Sequence, residues 1–211
     1  MTSTAAMHHL PCAGRLRASV ILLHGYAARA ETQRGDGAAF VDEGIEVVLP
    51  DAPGHGGRED GRLARIAALP EPQRMAAILA IAREWVAELP ALVARCRERG
   101  AERVGLVGVS MGGFAALGAL TEPGLFDAVA AVLSAPVLVD PARMPDVCPP
   151  LLLGLAGRDA AVPPEPGRRF ARAYGAELHE YPESGHFMRG EDWCDLWGRI
   201  GDFLRRHLAR G

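Results

Sequence analysis

The chain has 211 residues, 49% of them hydrophobic, and a formal net charge of −3. This length and apolar content suit one packed domain spanning 1–211 with a sizeable core, and exclude a disordered or fibrous chain. Acids and bases are mixed with no basic block, which excludes a nucleic-acid partner, and no apolar run is long enough to span a bilayer.

The N-terminal stretch "MTSTAAMHHLPCAGRLRASV" lacks the apolar segment of a secretory signal, so a cytoplasmic protein is expected. Cys12, Cys96, Cys148 and Cys194 form no C-x-x-C pair and read as free thiols in a reducing compartment. Residues 1–6 read as a frayed tail, and 7–17 leave room for one edge strand.

From residue 19 onward, short apolar runs bounded by Gly, Pro or Asp recur: "SVILLHG" (19–25), "IEVVLPDAPG" (45–54), "RVGLVG" (103–108), "DAVAAVLSAP" (127–136) and "LLLGLAG" (151–157), with "AELHEYP" (176–182) as a sixth. Unbroken rather than alternating apolarity predicts strands buried on both faces of a parallel sheet. Between them lie helical patterns. In 72–99, Met75, Ile78, Leu79, Ala82, Trp85, Val86 and Leu89 recur at three-four spacing, predicting a helix that Pro90 kinks or divides. Trp193, Leu196, Trp197, Ile200, Phe203, Leu204 and Leu208 form a second stripe, and the aromatics of both stripes read as core. The alternation predicts an α/β fold: a doubly wound, mostly parallel sheet of about six to eight strands flanked by helices.

One stretch carries chemistry. In "VGLVGVSMGGF" (104–114) a predicted strand runs into G-x-S-x-G and then a helical pattern. A sharp strand-to-helix turn there would lift Ser110 clear of the sheet edge, and only small neighbours let the chain pass so closely. A serine hydroxyl needs a base. Of seven histidines, His8 and His9 lie in the tail region, His179 in a predicted strand and His207 in the last helix. His186, in the loop sequence "YPESGHFM", is the expected base. Asp159, two residues beyond the strand "LLLGLAG", is the expected acid, with Asp140 second and Asp146 weaker. The oxyanion donors are expected to be the backbone N–H groups of Met111 and Tyr26. His24 reads as structural.

These features resemble the α/β-hydrolase family: "HGYA" (24–27), "DAPGHGGRED" (51–60), "GVSMGG" (108–113), "GRDAAVP" (157–163) and "SGHF" (184–187), in the order Ser, Asp, His. The resemblance covers 19–208 and implies that fold and a Ser110–His186–Asp159 triad. The flavour of "GHGGRED" is similar to small esterases and to dienelactone-hydrolase-like or prolyl-oligopeptidase-type domains, and leaves His55 as a loop residue near the site. Two departures stand out. Only one strand fits before residue 19, where the family has two. The segment after the nucleophile helix and its strand, "APVLVDPARMPDVCPP" (135–150), has five prolines in 16 residues and cannot build a helical cap.

The resulting expectation is a carboxylesterase-like serine hydrolase acting through an acyl-enzyme on small-molecule esters, with no metal or organic cofactor. The expected cleft lining is 26–30, 54–62, 136–148 and 187–189, with Val137, Leu138 and Met144 contacting a short acyl group. A thioesterase or small-peptide hydrolase would use the same groups, and an acyl transferase would differ in excluding water. A silent binding protein of the same fold is the rival from another class. The sequence carries no sign of oligomeric state.

Overall fold

The structure, a computed structural model, describes residues 7–209, so the expected frayed tail at 1–6 lies outside the described residues. Seven strands form one sheet: β1 (Met7–Leu10), β2 (Ala13–Leu23), β3 (Glu43–Pro50), β4 (Arg103–Val109), β5 (Ala128–Val132), β6 (Leu151–Ala156) and β7 (Glu177–Tyr181). Their order is β1-β3-β2-β4-β5-β6-β7. Every neighbouring pair is parallel except β1, which runs antiparallel to β3 with Met7 opposite Pro50 and Leu10 opposite Val47. The room left before residue 19 is therefore taken by β1 and by the exposed start of β2, whose residues become buried only from Ala18 onward.

The unbroken apolar runs have the cause inferred from them, because helices cover both faces. Successive side chains of a strand point to opposite sides, so Ile21 and Leu23 enter one core while Val20 and Leu22 enter the other. The first core is closed by α2 (Arg62–Ala67), α3 (Gln73–Glu98), α4 (Met111–Gly118) and α5 (Glu165–Tyr174), through Ile66, Trp85, Leu89, Leu117 and Ala171. The second is closed by α1 (Arg34–Ala38) and α6 (Gly190–Leu208), through Trp197, Ile200, Phe203 and Leu204. Gly37 of α1 lets that short helix lie against the strands: an added Cβ would sit 3.1 Å from Leu10 and 3.3 Å from Leu49.

Pro90 does not divide α3, which continues unbroken to Glu98. The proline sits on the exposed side of the helix, where water can satisfy the carbonyl that loses its N–H donor. Between β5 and β6 there is one short 3-10 turn, Pro141–Arg143, and no cap of helices. The loops at the C-terminal ends of β2, β4, β6 and β7 thus converge on an uncapped edge. No helix among the described residues is long and apolar enough to cross a membrane.

Candidate active site

Ser110 occupies the one-residue junction between β4 and α4, with φ 53° and ψ −111°. A non-glycine residue at positive φ is strained and persists only where its surroundings fix it. Here they do. The Ser110 N–H donates to Val132 O at 2.8 Å, and the Gly112 N–H donates to His24 O at 3.2 Å. A Cβ on Gly108 would lie 2.1 Å from Gly112 O, and one on Gly112 would lie 2.4 Å from Leu23 O. The two glycines of G-x-S-x-G are required because backbone meets backbone at both places.

The loops after β6 and β7 bring the other two groups to this serine. They cross closely, since a Cβ on Gly157 would meet Pro182 Cα at 2.7 Å, and the Arg158 N–H donates to Ser184 O at 2.9 Å. His186 Nε2 lies 3.0 Å from Ser110 Oγ, and its Nδ1 lies 2.7 Å from Asp159 Oδ2. With the ring proton on Nδ1, that nitrogen donates to the carboxylate and Nε2 accepts from the serine hydroxyl. The Asp159 side chain is buried. Its Oδ1 accepts the N–H groups of Ala161 at 2.9 Å and Val162 at 2.8 Å, which compensates an ion taken out of water and fixes the direction of Oδ2. Asp140 instead caps the 3-10 turn that follows it, accepting from the Ala142 N–H at 3.0 Å. Asp146 is exposed.

The turn after β2 passes directly beside the serine: a Cβ on Gly25 would sit 3.6 Å from Ser110 Cβ. Among the described residues neither the Tyr26 nor the Met111 N–H is spent on another acceptor. Met111 opens α4, so its free N–H adds to the helix's positive end.

Two buried histidines hold this turn. His24 donates from Nδ1 to Gly25 O at 2.8 Å and accepts the Ala52 N–H on Nε2 at 3.0 Å. His55 donates to Pro53 O at 3.0 Å and accepts the Ala27 N–H at 3.3 Å. Both must be neutral to accept. Burial depresses each, His24 to about 4 despite the bond to Gly25 O, and His55 in the same direction. Asp51, also buried, accepts Ala30 N–H at 2.8 Å and Gly57 N–H at 2.9 Å. His179 pairs with Glu177 on β7 at 2.9 Å.

Ser110 and His186 open into a cavity of about 540 Å³, a size that suits a small ligand. Its apolar wall includes Met75, Ile78, Phe114, Val162, Phe187 and Met188. Val137, Leu138 and Met144, expected here, do not line it. Leu138 faces a separate depression beside Val86 and Gly118, Val137 is half exposed, and Met144 packs on the core. The segment after β5 turns away over α4 rather than across the serine. Residues 54–62 are absent from the wall too, because Arg58 and Arg62 tie that loop down onto α3 through Glu88 and Glu84, each at 2.7 Å. The wall comes instead from the start of α3, from Trp193 of α6, from Gln33 at the end of the 3-10 turn Ala30–Gln33 and from Glu71 in the loop before α3. Met75, Ile78 and Trp193 carried a periodic signal, but it reads equally as core.

A comparison with curated proteins found no match. Among solved structures, the chain is similar to esterase PE8, with 25% identity and a TM-score of 0.75 over 98% of this chain and 100% of that one. It is also similar to acyl-protein thioesterase 2 of Zea mays, with 17% identity and a TM-score of 0.65 over 97% and 99% of the two chains. Esterase 2 of Thermogutta terrifontis, phosphorylated by paraoxon, gives 16% identity and a TM-score of 0.70 over 97% and 90%. A family described as serine aminopeptidase, S33, matches residues 14–149, well over half of the chain. With its mostly parallel sheet, sharp strand-to-helix turn at Ser110 and uncapped edge, the chain belongs to the α/β-hydrolases, in the family described as serine aminopeptidase S33.

Proposed function

We propose that the protein is a serine hydrolase of small carboxylic esters. The observation that carries this reading is the unbroken line from Asp159 through His186 to Ser110 Oγ, at 2.7 and 3.0 Å, beside two unspent N–H groups. Ser110 Oγ attacks the ester carbonyl as His186 Nε2 takes its proton, and Asp159 stabilises the imidazolium formed. The carbonyl oxygen, now anionic, accepts from the N–H groups of Tyr26 and Met111. The imidazolium then protonates the departing alcohol, leaving Ser110 acylated. Water, deprotonated by His186, attacks the acyl-enzyme, and the proton returned to Ser110 Oγ releases the acid.

The wall favours an ester over an aminopeptidase substrate. A peptide's α-ammonium group would need an anionic partner, and the one carboxylate lining the cavity among the described residues, Glu71, is already engaged by Arg74 at 2.7 Å. A mostly apolar wall suits an acyl chain of modest length. The names of the similar proteins, two of them esterases, point the same way.

The test is fluorophosphonate labelling combined with a panel of p-nitrophenyl esters of graded length, thioesters and aminoacyl anilides. The expected result is labelling that disappears in Ser110→Ala, with esters turned over and anilides not. Turnover confined to anilides would replace the esterase with a peptidase, and an unlabelled native protein would replace it with a silent binder.

A further inference from the structure

Among the described residues, the cavity wall holds one polar side chain that has neither a hydrogen-bond partner nor a part in hydrolysis. Gln33 stands where the 3-10 turn Ala30–Gln33 meets α1, and it is 7% exposed. It lines the cavity into which Ser110 and His186 open, and its Oε1 is buried without a hydrogen-bond partner among the described residues. A buried amide oxygen with no donor is costly and rare; because no surface of this oxygen is open to the cavity, the amide of this wall residue must turn for the oxygen to meet a donor that arrives with the ligand.

The segment carrying Gln33 is pinned on both sides. Ala30 N–H donates to Asp51 Oδ1 at 2.8 Å. Downstream, Trp193 Nε1–H donates to Asp36 Oδ1 at 3.1 Å and Trp197 Nε1–H to Asp36 O at 2.9 Å. The other polar side-chain groups of the wall outside the reacting set have partners: Glu71 with Arg74, the Tyr26 hydroxyl with Leu63 O and the Trp193 ring nitrogen with Asp36.

We infer that Gln33 is a specificity-determining residue: its amide oxygen accepts a hydrogen bond from a hydroxyl or amide N–H carried by the substrate. The preferred substrates are then esters bearing a hydrogen-bond donor, not plain alkyl esters. This rests on the ester-hydrolase reading and names the substrate class within it. The discrimination is asymmetric. A donor-bearing ester satisfies the oxygen, whereas an alkyl ester of equal size covers it unpaired.

The experiment measures kcat/KM of the native protein by pH-stat. The substrates are ethyl butyrate, ethyl 3-hydroxybutyrate, ethyl 3-methoxybutyrate, N-acetylglycine ethyl ester and 2-hydroxyethyl butyrate. At least one donor-bearing ester is expected to exceed both ethyl butyrate and the methoxy ester by about 5- to 100-fold. In Gln33→Met that ratio is expected to fall to near one. A native ratio near one throughout, a methoxy ester equal to the best donor, or a ratio unchanged in Gln33→Met would each overturn the inference. The native series needs no variant to fold. Fluorophosphonate labelling separates the two levels. A labelled protein that hydrolyses every ester without donor preference removes only the role of Gln33, whereas an unlabelled native protein removes the esterase reading itself.

Discussion

Acidification from pH 7 to pH 4 should cost this fold stability through one buried ring. His24 accepts the Ala52 N–H on Nε2, so a proton added there sets two donors against each other in a site shielded from water. Burial is the largest cause of its depression, which the bond from Nδ1 to Gly25 O and the nearby Asp51 only partly oppose. Moving the ring from 6.5 to about 4 corresponds to about 3 kcal/mol at roughly 1.36 kcal/mol per pH unit. The sign follows from proton counting. Between pH 6.5 and 4 the unfolded chain binds the proton and the folded chain refuses it, so stability rises with pH. The contribution is complete above about pH 6.5, falls as pH drops through that window, and levels off below about 4. Of a total that for such domains is about 5–15 kcal/mol, this is a large share. The assay is urea unfolding at pH 7.0, 5.5 and 4.0 for the native protein and His24→Gln, whose amide oxygen can accept from Ala52 without titrating. Subtracting the two series removes most of what His55 and the carboxylates contribute to both. The native protein should lose about 3 kcal/mol more than the variant between the extremes. Parallel curves would refute the claim that His24 is held neutral by the fold.

Asp159→Asn should reduce ester turnover by about 10³- to 10⁴-fold with little change in thermal unfolding, since the amide oxygen can still accept from Ala161 and Val162; steady-state kinetics beside a melting curve checks both. Gly108→Ala should abolish fluorophosphonate labelling of Ser110 and lower Tm, because the new Cβ would lie 2.1 Å from a backbone oxygen that cannot yield without opening the turn. Asp51→Ala frees the N–H groups of Ala30 and Gly57 together and should cost on the order of 3 kcal/mol in urea unfolding. Phe187 is 96% exposed at the cavity rim, so Phe187→Ala should change stability by less than about 0.5 kcal/mol while raising KM for the longer p-nitrophenyl esters in the panel.

The strands were readable because burial on both faces removes polar residues from the run itself, a local signature that needs no knowledge of partners. The meeting of Ser110, His186 and Asp159 was readable for a related reason. Each lies within five residues of the end of a strand, and parallel strands deliver such positions to one edge. The cavity wall was not readable. Val137, Leu138 and Met144 also follow a strand, but where their loop goes depends on how it packs over Gly118 and Val86, which no local pattern encodes. Met75 and Ile78 open the longest helix, where the same periodicity that buries Trp85 and Leu89 also presents residues to a cavity. Gln33 carries no periodic signal: a glutamine between two short turns looks like surface until Asp51 and the α6 tryptophans fix its neighbourhood.

The loops around Ser110 share one constructional feature that follows from the missing cap. An uncapped edge offers little apolar surface against which a loop could be packed, and loop backbone carries N–H groups that must be satisfied somewhere. Here a buried polar side chain does both jobs in each loop. His24 holds Ala52, His55 holds Ala27, Asp51 holds Ala30 and Gly57, Asp159 holds Ala161 and Val162, and Ser184 accepts from Arg189 while donating to Asp192. Two of these anchors, His24 and His55, bond Gly25 O and the Ala27 N–H, on either side of Tyr26. The loops are thereby fixed from within, and the bonds made by His24 and His55 work only while those rings stay neutral. Such an edge can be rigid and open at once, and its geometry should fail in acid before its apolar cores do.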